Sequence, residues 1–297
     1  MSGAALEAGA AALCVATVGE ALALRRSFGK ARILVMGPVS DAELAQAKDA
    51  RLELAVLDTS VPEGLRVHIK IDTGMGRYGA RVRELPALPE NAVGLMSHLA
   101  TADSDPAFAR DQLARFLAVV EAHPGLETHV ANSAAALRMP ESHLHAARCG
   151  IALYGLSPFG TDPAEDGLDP VLSWHSELAQ VKLLEPGEGT GYDRRFVAER
   201  PTWIGIVPVG YADGFRRDLT GTEVLVAAAR RRVVGTVSMD SFAVELDREL
   251  PVGTPVTLIG DGLLAEEHAR VAGTITYEIV SRIGVSPERA VRRVTGR

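Results

Sequence analysis

Short apolar runs alternate with segments of helical spacing through the first half of the chain. ALCVAT at 12–17 predicts a strand, and VGEALALRRSF directly after it predicts a helix. Strands and helices that alternate in this way are typical of repeated βα units on a parallel sheet. Further runs of the same kind predict strands at 33–37, 52–58, 67–73, 93–99, 128–132 and 146–151, which makes seven in all.

Two of the predicted helices carry clear sequence signals. At 40–50, Ser40 is placed to cap a helix and Glu43 follows three residues later, which is the capping-box spacing. At 106–122 the apolar residues recur at helical spacing. The first residues of the chain predict a helix and then a strand rather than a signal peptide, because glutamates interrupt the apolar stretch and no basic segment precedes it.

The pattern changes after the glycine- and proline-containing stretch LSPFGTDPAEDGLDP at 156–170. From there strand follows strand without intervening helices, as in SELAQVKLL, WIGIVPV, EVLVAA, RRVVGTVSM, FAVEL and PVTLIG. We therefore predict two domains, an α/β domain at 1–165 and an all-β domain at 166–297.

Composition narrows the class of protein. The chain has 297 residues, of which 47% are hydrophobic and 23% charged, which is ordinary for a globular protein. A formal net charge of −7 provides no basic surface for nucleic acid or anionic lipid. The two cysteines, Cys14 and Cys149, lie in apolar runs and do not indicate a disulfide framework, so a cytoplasmic protein is expected. No stretch is long and apolar enough to predict a membrane span.

The segment HIKIDTGMGRYG at 68–79 carries the first candidate chemistry. A strand that holds Lys70 and Asp72 ends in two glycines, which turn the backbone and place Arg77 at the carboxyl end of the strand. Barrel enzymes keep their active sites at that end of the sheet. His98, in SHLATAD after the next strand, is expected at the same end. The structural alternatives are a surface arginine in a glycine-rich turn and a hydrogen-bonded core histidine.

A second cluster predicts a phosphate site. Asn132 and Ser133 follow one strand, and Arg148, Gly150 and Ile151 lie at the next. A serine hydroxyl and free backbone N–H groups beside a glycine form a cradle for phosphate. The sequence contains neither a P-loop nor a GxGxxG motif, so a nucleotide is not the expected ligand, and no metal site is indicated.

The β domain has four segments that set an aromatic residue, a methionine or an aspartate beside a turn. They are GTGYDRRF, VPVGYADGF, GTVSMDSF and GTITYEIV. On their own, the tyrosines in these segments are more simply read as packing residues.

Taken in order, these segments resemble the alanine racemase family of pyridoxal-phosphate enzymes. The resemblance covers the chain from about residue 4 to its end, through KIDTGMGR, SHLATAD, ANSAA, RCGIALYGLSP, VPVGYADGF, GTVSMD and GTITYEI. It implies a TIM-like barrel followed by a β domain, in a homodimer with shared active sites. The implied reaction is the interconversion of L-alanine and D-alanine for peptidoglycan synthesis, and the sequence leaves alanine and serine open as the preferred substrate.

The resemblance implies a site for pyridoxal 5'-phosphate. Arg148 matches the arginine that hydrogen-bonds the pyridine nitrogen, and His98 matches a residue stacked near the ring. The positions that match the phosphate site are Ser133, Gly150, Ile151 and Tyr277.

The resemblance also implies catalytic and substrate-binding residues. Tyr192 matches the base on the L-alanine side, which the other protomer supplies, and its pKa must be lowered by a positive neighbourhood, for which His98 and Arg148 are the candidates. Arg77 and Met239 match residues at the substrate. Lys70 matches a lysine that is carbamylated in some relatives and holds that arginine in place. The residues that match the access region are Tyr211 and Asp240.

One family segment has no counterpart in these residues. The Schiff-base lysine of the family lies in a KANAYGHG-type stretch, and none of the lysines here (Lys30, Lys48, Lys70 and Lys182) matches it. We therefore expect an N-terminally truncated and open barrel. The connections TSVPEGLR and RVRELPALPENA are also short for barrel crossovers, so two barrel helices are expected to be absent or reduced to turns.

Three functions are compatible with this pattern. The first is an alanine racemase. The second is a catalytically inactive relative that binds pyridoxal phosphate or acts as a dimer partner. A single-domain protein of pyridoxal-phosphate homeostasis is disfavoured, because such proteins lack the β domain that follows residue 165 here.

Overall fold

The computed structural model describes residues 1–57, 62–85, 88–284 and 286–295. It contains two compact units, Met1–Leu153 and Tyr154–Arg297, and each has its own main sheet. Both cysteines are free thiols. Within the described ranges, no helix combines the length and the apolar character that a membrane crossing requires.

The first unit is built on a parallel sheet. Its strands are β1 (Leu13–Val15), β2 (Ile33–Val35), β3 (Glu53–Val56), β4 (Arg66–Asp72), β5 (Ala80–Arg81), β6 (Ala92–Met96) and β7 (Glu127–His129). They pair in the order β1-β2-β3-β4-β6-β7, with β5 on the end of β4, and every pairing is parallel. The first and last strands of this order are not paired with each other in the described residues, so the sheet is an open, TIM-like half-barrel.

A polar N-cap residue precedes each described α-helix of the first unit except the first, which follows Met1. These helices are α1 (Ser2–Glu7), α2 (Val18–Ser27), α3 (Asp41–Asp49), α4 (Pro106–Glu121) and α5 (Ser133–Arg138). At the start of α3, the Glu43 carboxylate accepts hydrogen bonds from the Ser40 backbone N–H (2.9 Å) and hydroxyl (2.6 Å). The predicted pairing of Ser40 with Glu43 is present, but the Ser40 hydroxyl donates to the carboxylate instead of accepting from a helix N–H. On α4 the apolar stripe is buried, and it includes Leu113 and Phe116.

One predicted strand is wrong. The segment 146–151 makes a single bridge, between Ala146 and His129, and then enters a 3-10 turn. The N–H of His145, just before the segment, donates to Thr128 O (3.1 Å), and the N–H of Arg148 within it donates to Ala131 O (2.9 Å). A parallel ladder needs donors two residues apart, and these donors are three apart, so a regular strand does not continue.

The two short connections contain no α-helix in their described residues. Between β4 and β6 the chain forms β5 and a 3-10 turn at Val82–Glu84. Residues 58–61 and 86–87 lie outside the described residues, so the expected loss of two barrel helices is seen only in the remaining residues of the two connections.

The second unit contains a mainly antiparallel β domain. Its strands are β8 (Trp174–Glu177), β9 (Gln180–Leu184), β10 (Gly189–Thr190), β11 (Phe196–Val197), β12 (Thr202–Val207), β13 (Glu223–Val226), β14 (Ala229–Val234), β15 (Phe242–Leu246) and β16 (Pro255–Ile259). Seven of them form an antiparallel sheet in the order β8-β16-β13-β14-β15-β12-β9, and β10 pairs with β11. Two short helices that the strand pattern did not predict follow, α6 (Ala265–Val271) and α7 (Thr276–Ser281).

Phe215 lies at the centre of the core of the second unit. Its side chain is 1% exposed. The ring stacks on Phe242 at a centroid distance of 4.3 Å and meets Trp174 and His268 edge to face at 6.2 and 5.9 Å. Aromatic pairs in these geometries add to the burial of apolar area, so this ring is a main source of stability for the unit.

We predict that Phe215→Ala lowers the free energy of unfolding of the second unit by about 3–5 kcal/mol, because it leaves a cavity among aromatic side chains. Tryptophan fluorescence in a urea titration measures this unit specifically, since both tryptophans, Trp174 and Trp203, belong to it. Val197→Ala, at an exposed position, is the control and should change this energy by about 0.5 kcal/mol or less. Equal effects of the two variants would contradict the prediction.

Candidate active site

Arg148 is the central group of the candidate site in the first unit. Its Nη1 donates to the carbonyl of His129 (2.9 Å), and its Nη2 donates to the carbonyls of Ser97 (2.6 Å) and Val130 (3.4 Å). Burial lowers the pKa of Arg148 to about 10, so the guanidinium stays charged at neutral pH. The carbonyls of two strand ends therefore fix a permanent cation at the carboxyl edge of the sheet.

His98 contacts this cation and is neutral beside it. Its Nδ1 lies 3.3 Å from Arg148 Nη2. Burial, followed by the charges of Arg148, Arg77 and Lys70, lowers the pKa of His98 to about 4. Of the two groups expected to supply positive charge to the site, His98 and Arg148, only Arg148 does so at neutral pH.

Lys70 holds a buried amine in the same part of the unit. The side chain is 7% exposed, and Nζ lies 5.5 Å from the centroid of the Tyr78 ring. Burial and the charges of Arg77 and Arg148 lower the pKa of Lys70 to about 8, against the opposing effect of Asp72. About half of the amines are therefore neutral at that pH.

Asp72 folds the turn that carries Arg77. Its carboxylate accepts hydrogen bonds from the backbone N–H groups of Gly74 (2.9 Å), Met75 (2.8 Å) and Gly76 (3.1 Å). These bonds close a tight turn directly after β4, and Arg77 follows it in an exposed position. The role of Asp72 is therefore to shape the backbone, which agrees with the predicted turn.

The predicted phosphate cradle is formed in part by residues of the first unit. The Ser133 hydroxyl oxygen, at the start of α5, accepts hydrogen bonds from the N–H groups of Gly150 (3.0 Å) and Ala152 (3.4 Å). One hydroxyl and two amides thus converge on one point, where the oxygen of a phosphate would replace the hydroxyl as acceptor. Ala152 was missed in the sequence, whereas Ile151, which was named, has a buried side chain.

In the second unit, two predicted segments pack directly on each other. The N–H of Tyr211 donates to Ser238 O (3.1 Å), and that of Ala212 donates to Met239 O (3.0 Å). A Cβ on Gly210 would lie 2.2 Å from Met239 O, so only glycine allows this approach. The contact fixes Tyr211 and Met239 next to each other, and both side chains are exposed.

Arg289 joins this cluster and was not predicted. Its Nε donates to Asp213 Oδ1 and its Nη2 to Asp240 Oδ1, both at 2.7 Å. The other oxygen of Asp213 accepts from the N–H of Gly210 (2.9 Å). The carboxylate of Asp240 is therefore held by an arginine that lies far from it in the sequence, where no local signal could reveal the pairing.

The tyrosines of the second unit present their side chains to solvent. Tyr192 is 68% exposed, in a 3-10 turn whose backbone is held by a hydrogen bond from Thr236 Oγ1 to Tyr192 O (3.0 Å). Tyr277, on α7, is also exposed. A packing role, the alternative that the sequence left open, does not explain exposed rings.

Family profiles and related sequences both match this chain to the same family. The profile of the alanine racemase N-terminal domain matches residues 1–158, and that of the alanine racemase C-terminal domain matches residues 171–291. Alanine racemase 1 of Bacillus subtilis is 39% identical over 307 residues, which cover 94% of this chain and 79% of the relative. The alanine racemase of Geobacillus stearothermophilus is 39% identical over 309 residues, which cover 93% of this chain and 78% of the relative.

Solved structures agree with these matches. A crystal structure of the biosynthetic alanine racemase of Pseudomonas aeruginosa superposes with a TM-score of 0.87 at 36% identity, covering 95% of this chain and 85% of the other. An alanine racemase of E. faecalis gives 0.86 at 35% identity, covering 95% and 84%. These comparisons do not bear out the expected truncation, since both domains of the family are matched.

We predict that Lys70 titrates near pH 8, which ¹³C NMR of protein labelled at the lysine Cε measures, with Lys70→Gln to assign the signal. Arg77→Gln should raise the pKa of Lys70, because it removes a repelling charge. Arg83→Gln, also exposed and not a cause of the shift, should leave it unchanged. Between pH 8 and the ordinary value of 10.5, the unfolded chain binds a proton that the folded chain does not, so the free energy of unfolding should rise with pH. Titration of Lys70 above pH 10 would contradict this.

Proposed function

The chain belongs to the alanine racemase family, and we propose that it interconverts L-alanine and D-alanine with pyridoxal phosphate as cofactor. The observation that carries this proposal is the presence, in one unit, of the fixed Arg148 guanidinium and of the Gly150 and Ala152 amides that meet at the Ser133 hydroxyl. The first suits the ring nitrogen of the cofactor, and the second suits its phosphate. The residues present therefore fit the group that the family uses.

Arg148 would bind the pyridine nitrogen of the cofactor. A guanidinium has donors and no acceptor, and it keeps its proton, so the ring nitrogen beside it stays unprotonated. When bound, pyridoxal phosphate withdraws electrons from the Cα of the amino acid, and an unprotonated ring does so less strongly. Rapid return of the proton to Cα is thereby favoured over side reactions. His98 would lie near the ring, and Ser133, Gly150, Ile151 and Tyr277 would hold the phosphate.

Tyr192 would move the proton on the L-alanine side. A tyrosine needs a nearby cation to act as a base, and Arg148 of the partner subunit would provide that charge. Arg77 would bind the substrate carboxylate, and Met239 matches another position at the substrate. The lowered pKa of Lys70 supports carbamylation of its amine, since the neutral form reacts with carbon dioxide, and the carbamate would hold Arg77. Tyr211 and Asp240 would line the access region.

Racemisation needs two bases on opposite faces of the Cα–H bond, and the residues named above provide one of them. Tyr192 serves the L-alanine face, and no lysine among the 297 residues matches the family's lysine for the D-alanine face. A racemase needs a base on the D-alanine face, and an inactive, cofactor-binding relative does not. An isotope experiment distinguishes the two.

A homodimer completes the proposal. Tyr192 of one protomer would face the partner subunit's Arg148 and the partner's Ser133. The exposure of Tyr192, Tyr211 and Tyr277 in the second unit supports such a covered face, because large aromatic side chains are costly to leave in water.

We predict that the chain with pyridoxal phosphate converts L-alanine to D-alanine in D₂O, with deuterium at Cα. Tyr192→Phe should lower kcat by about 10² to 10⁴, the usual contribution of a general base. Tyr154→Phe, which changes an exposed tyrosine outside the proposed site, should leave kcat unchanged. Chiral chromatography with mass spectrometry measures both products. Cofactor binding without D-alanine would support the inactive relative, and deuterium exchange with retained configuration would show that only one base acts.

We predict a dimer at micromolar concentration by analytical ultracentrifugation, and complementation between two inactive variants. Mixed protomers of Tyr192→Phe and Arg148→Ala contain one site with both residues intact, so re-formed dimers should recover up to about a quarter of wild-type activity. Each variant alone should stay inactive. A compact monomer with full activity, or a mixture of confirmed hybrid dimers without recovery, would rule out shared sites.

A further inference from the structure

A chain of buried polar side chains leads away from Arg148 through the sheet. His129 Nδ1 lies 2.8 Å from Arg148 Nη1, and His129 Nε2 lies 2.8 Å from His68 Nδ1. His68 Nε2 lies 3.0 Å from Glu53 Oε2. The exposed fractions of Glu53, His68 and His129 are 5%, 1% and 3%, so water does not compete for these contacts.

The donor at one end and the carboxylate at the other select one arrangement of the protons between them. Arg32 Nη2 also lies 3.2 Å from His68 Nε2, but it is closer to the Glu53 carboxylate, at 2.7 Å from Oε2. Arg148 can only donate, so His129 Nδ1 accepts and the proton of the neutral imidazole is on Nε2. That proton is donated to His68 Nδ1, which leaves the proton of His68 on Nε2, facing Glu53. All the bonds therefore run in one direction, from the cation to the carboxylate.

Glu53 is held as a carboxylate at the far end. Burial by itself would raise the pKa of Glu53, but hydrogen bonds from His68, Arg32 and Arg66 lower it well below its ordinary range. Arg66 Nε donates to Oε1 at 2.9 Å, and Arg32 Nε donates to Oε2 at 2.8 Å. An ionised carboxylate only accepts, so it selects the Nε2–H form of His68.

The sheet leaves room for the contact between the two histidines. Gly94 on β6 lies beside His68, and a Cβ at Gly94 would be 2.2 Å from His68 Nδ1. That nitrogen is the atom that accepts from His129. Glycine at this strand position therefore leaves the His68 acceptor open to His129.

We propose that Glu53, His68 and His129 are positioning residues for Arg148. They hold His129 in the single tautomer that accepts from the guanidinium. In the other tautomer, Nδ1–H would face Arg148 Nη1, and two donors would meet in a buried place. The arginine would then lose a side-chain contact that fixes its plane. The importance of that plane for catalysis rests on the proposed function, whereas the tautomer does not.

The direct test is ¹⁵N NMR of histidine-labelled protein without cofactor at pH 7. We expect His129 to be neutral, because burial and the charge of Arg148 lower its pKa, and we expect His129 and His68 each to carry a proton on Nε2. Single His→Gln variants assign the signals. A wild-type His129 protonated on Nδ1, or carrying both protons, would overturn the proposal. This measurement needs no substitution of Glu53, so it is decisive even where variants fold poorly.

A matched pair of variants tests the role of Glu53. Both Glu53→Met and Glu127→Met take one carboxylate from Arg32, which pairs with each of them. Only Glu53→Met removes the acceptor of His68, so only this variant should show a second tautomer at His129. Equal spectra of the two variants would contradict the proposal.

Binding of pyridoxal phosphate, followed by fluorescence, gives a second readout. Glu53→Met should weaken binding about tenfold, because Arg148 loses its fixed partner, and Glu127→Met should change it by about twofold or less. A normal affinity in a Glu53→Met protein that shows both tautomers would overturn the positioning role. Failure of the wild-type chain to bind the cofactor would count against the proposed function and leave the tautomer result standing.

Discussion

The buried charge of Arg148 is the constraint on which the interior of the first unit depends. A guanidinium that is taken out of water needs protein acceptors for its N–H donors. Most of the acceptors of Arg148 are the carbonyl oxygens of Ser97, His129 and Val130. The His129 carbonyl ends strand β7, and the Ser97 and Val130 carbonyls directly follow β6 and β7, so the carboxyl edge of the sheet provides the acceptors. The Glu53 carboxylate lies at the other end of a histidine pair, where it is paired with Arg32 and Arg66.

Burial and neighbouring cations together set the protonation of the groups around Arg148. Burial, then the charges of Arg148, Arg77 and Lys70, lower the pKa of His98 to about 4. Burial, then the charges of Arg77 and Arg148, lower the pKa of Lys70 to about 8. Neutral imidazoles therefore remain hydrogen-bond acceptors, and a fraction of the Lys70 amine remains a nucleophile. The Arg148 guanidinium is the fixed, buried cation among these groups, placed where a cofactor nitrogen would need a donor.

In the second unit, close contact between two backbone segments positions the exposed side chains of Tyr211 and Met239. Gly210 allows the loop of Tyr211 to pack on the carbonyl of Met239, and Arg289 then ties Asp213 to Asp240. The side chains of Tyr211 and Met239 are exposed, while the backbone that carries them is held by hydrogen bonds. Exposure combined with a fixed backbone is typical of residues that act on something outside their own unit.

Local pattern was enough to determine much of this protein from the sequence. The capped helix at Asp41–Asp49, the strands around Lys70, and the turn that Asp72 closes all depend on residues within a few positions of each other. The spacing of His68 and Lys70, two apart on one strand, places them on one face and was the available signal for a longer polar chain. Tertiary structure alone decided the rest. The irregular path at 146–151, the Arg289 ion pairs and the one-way chain to Glu53 join residues distant in sequence, and their geometry exists only once the strands have paired.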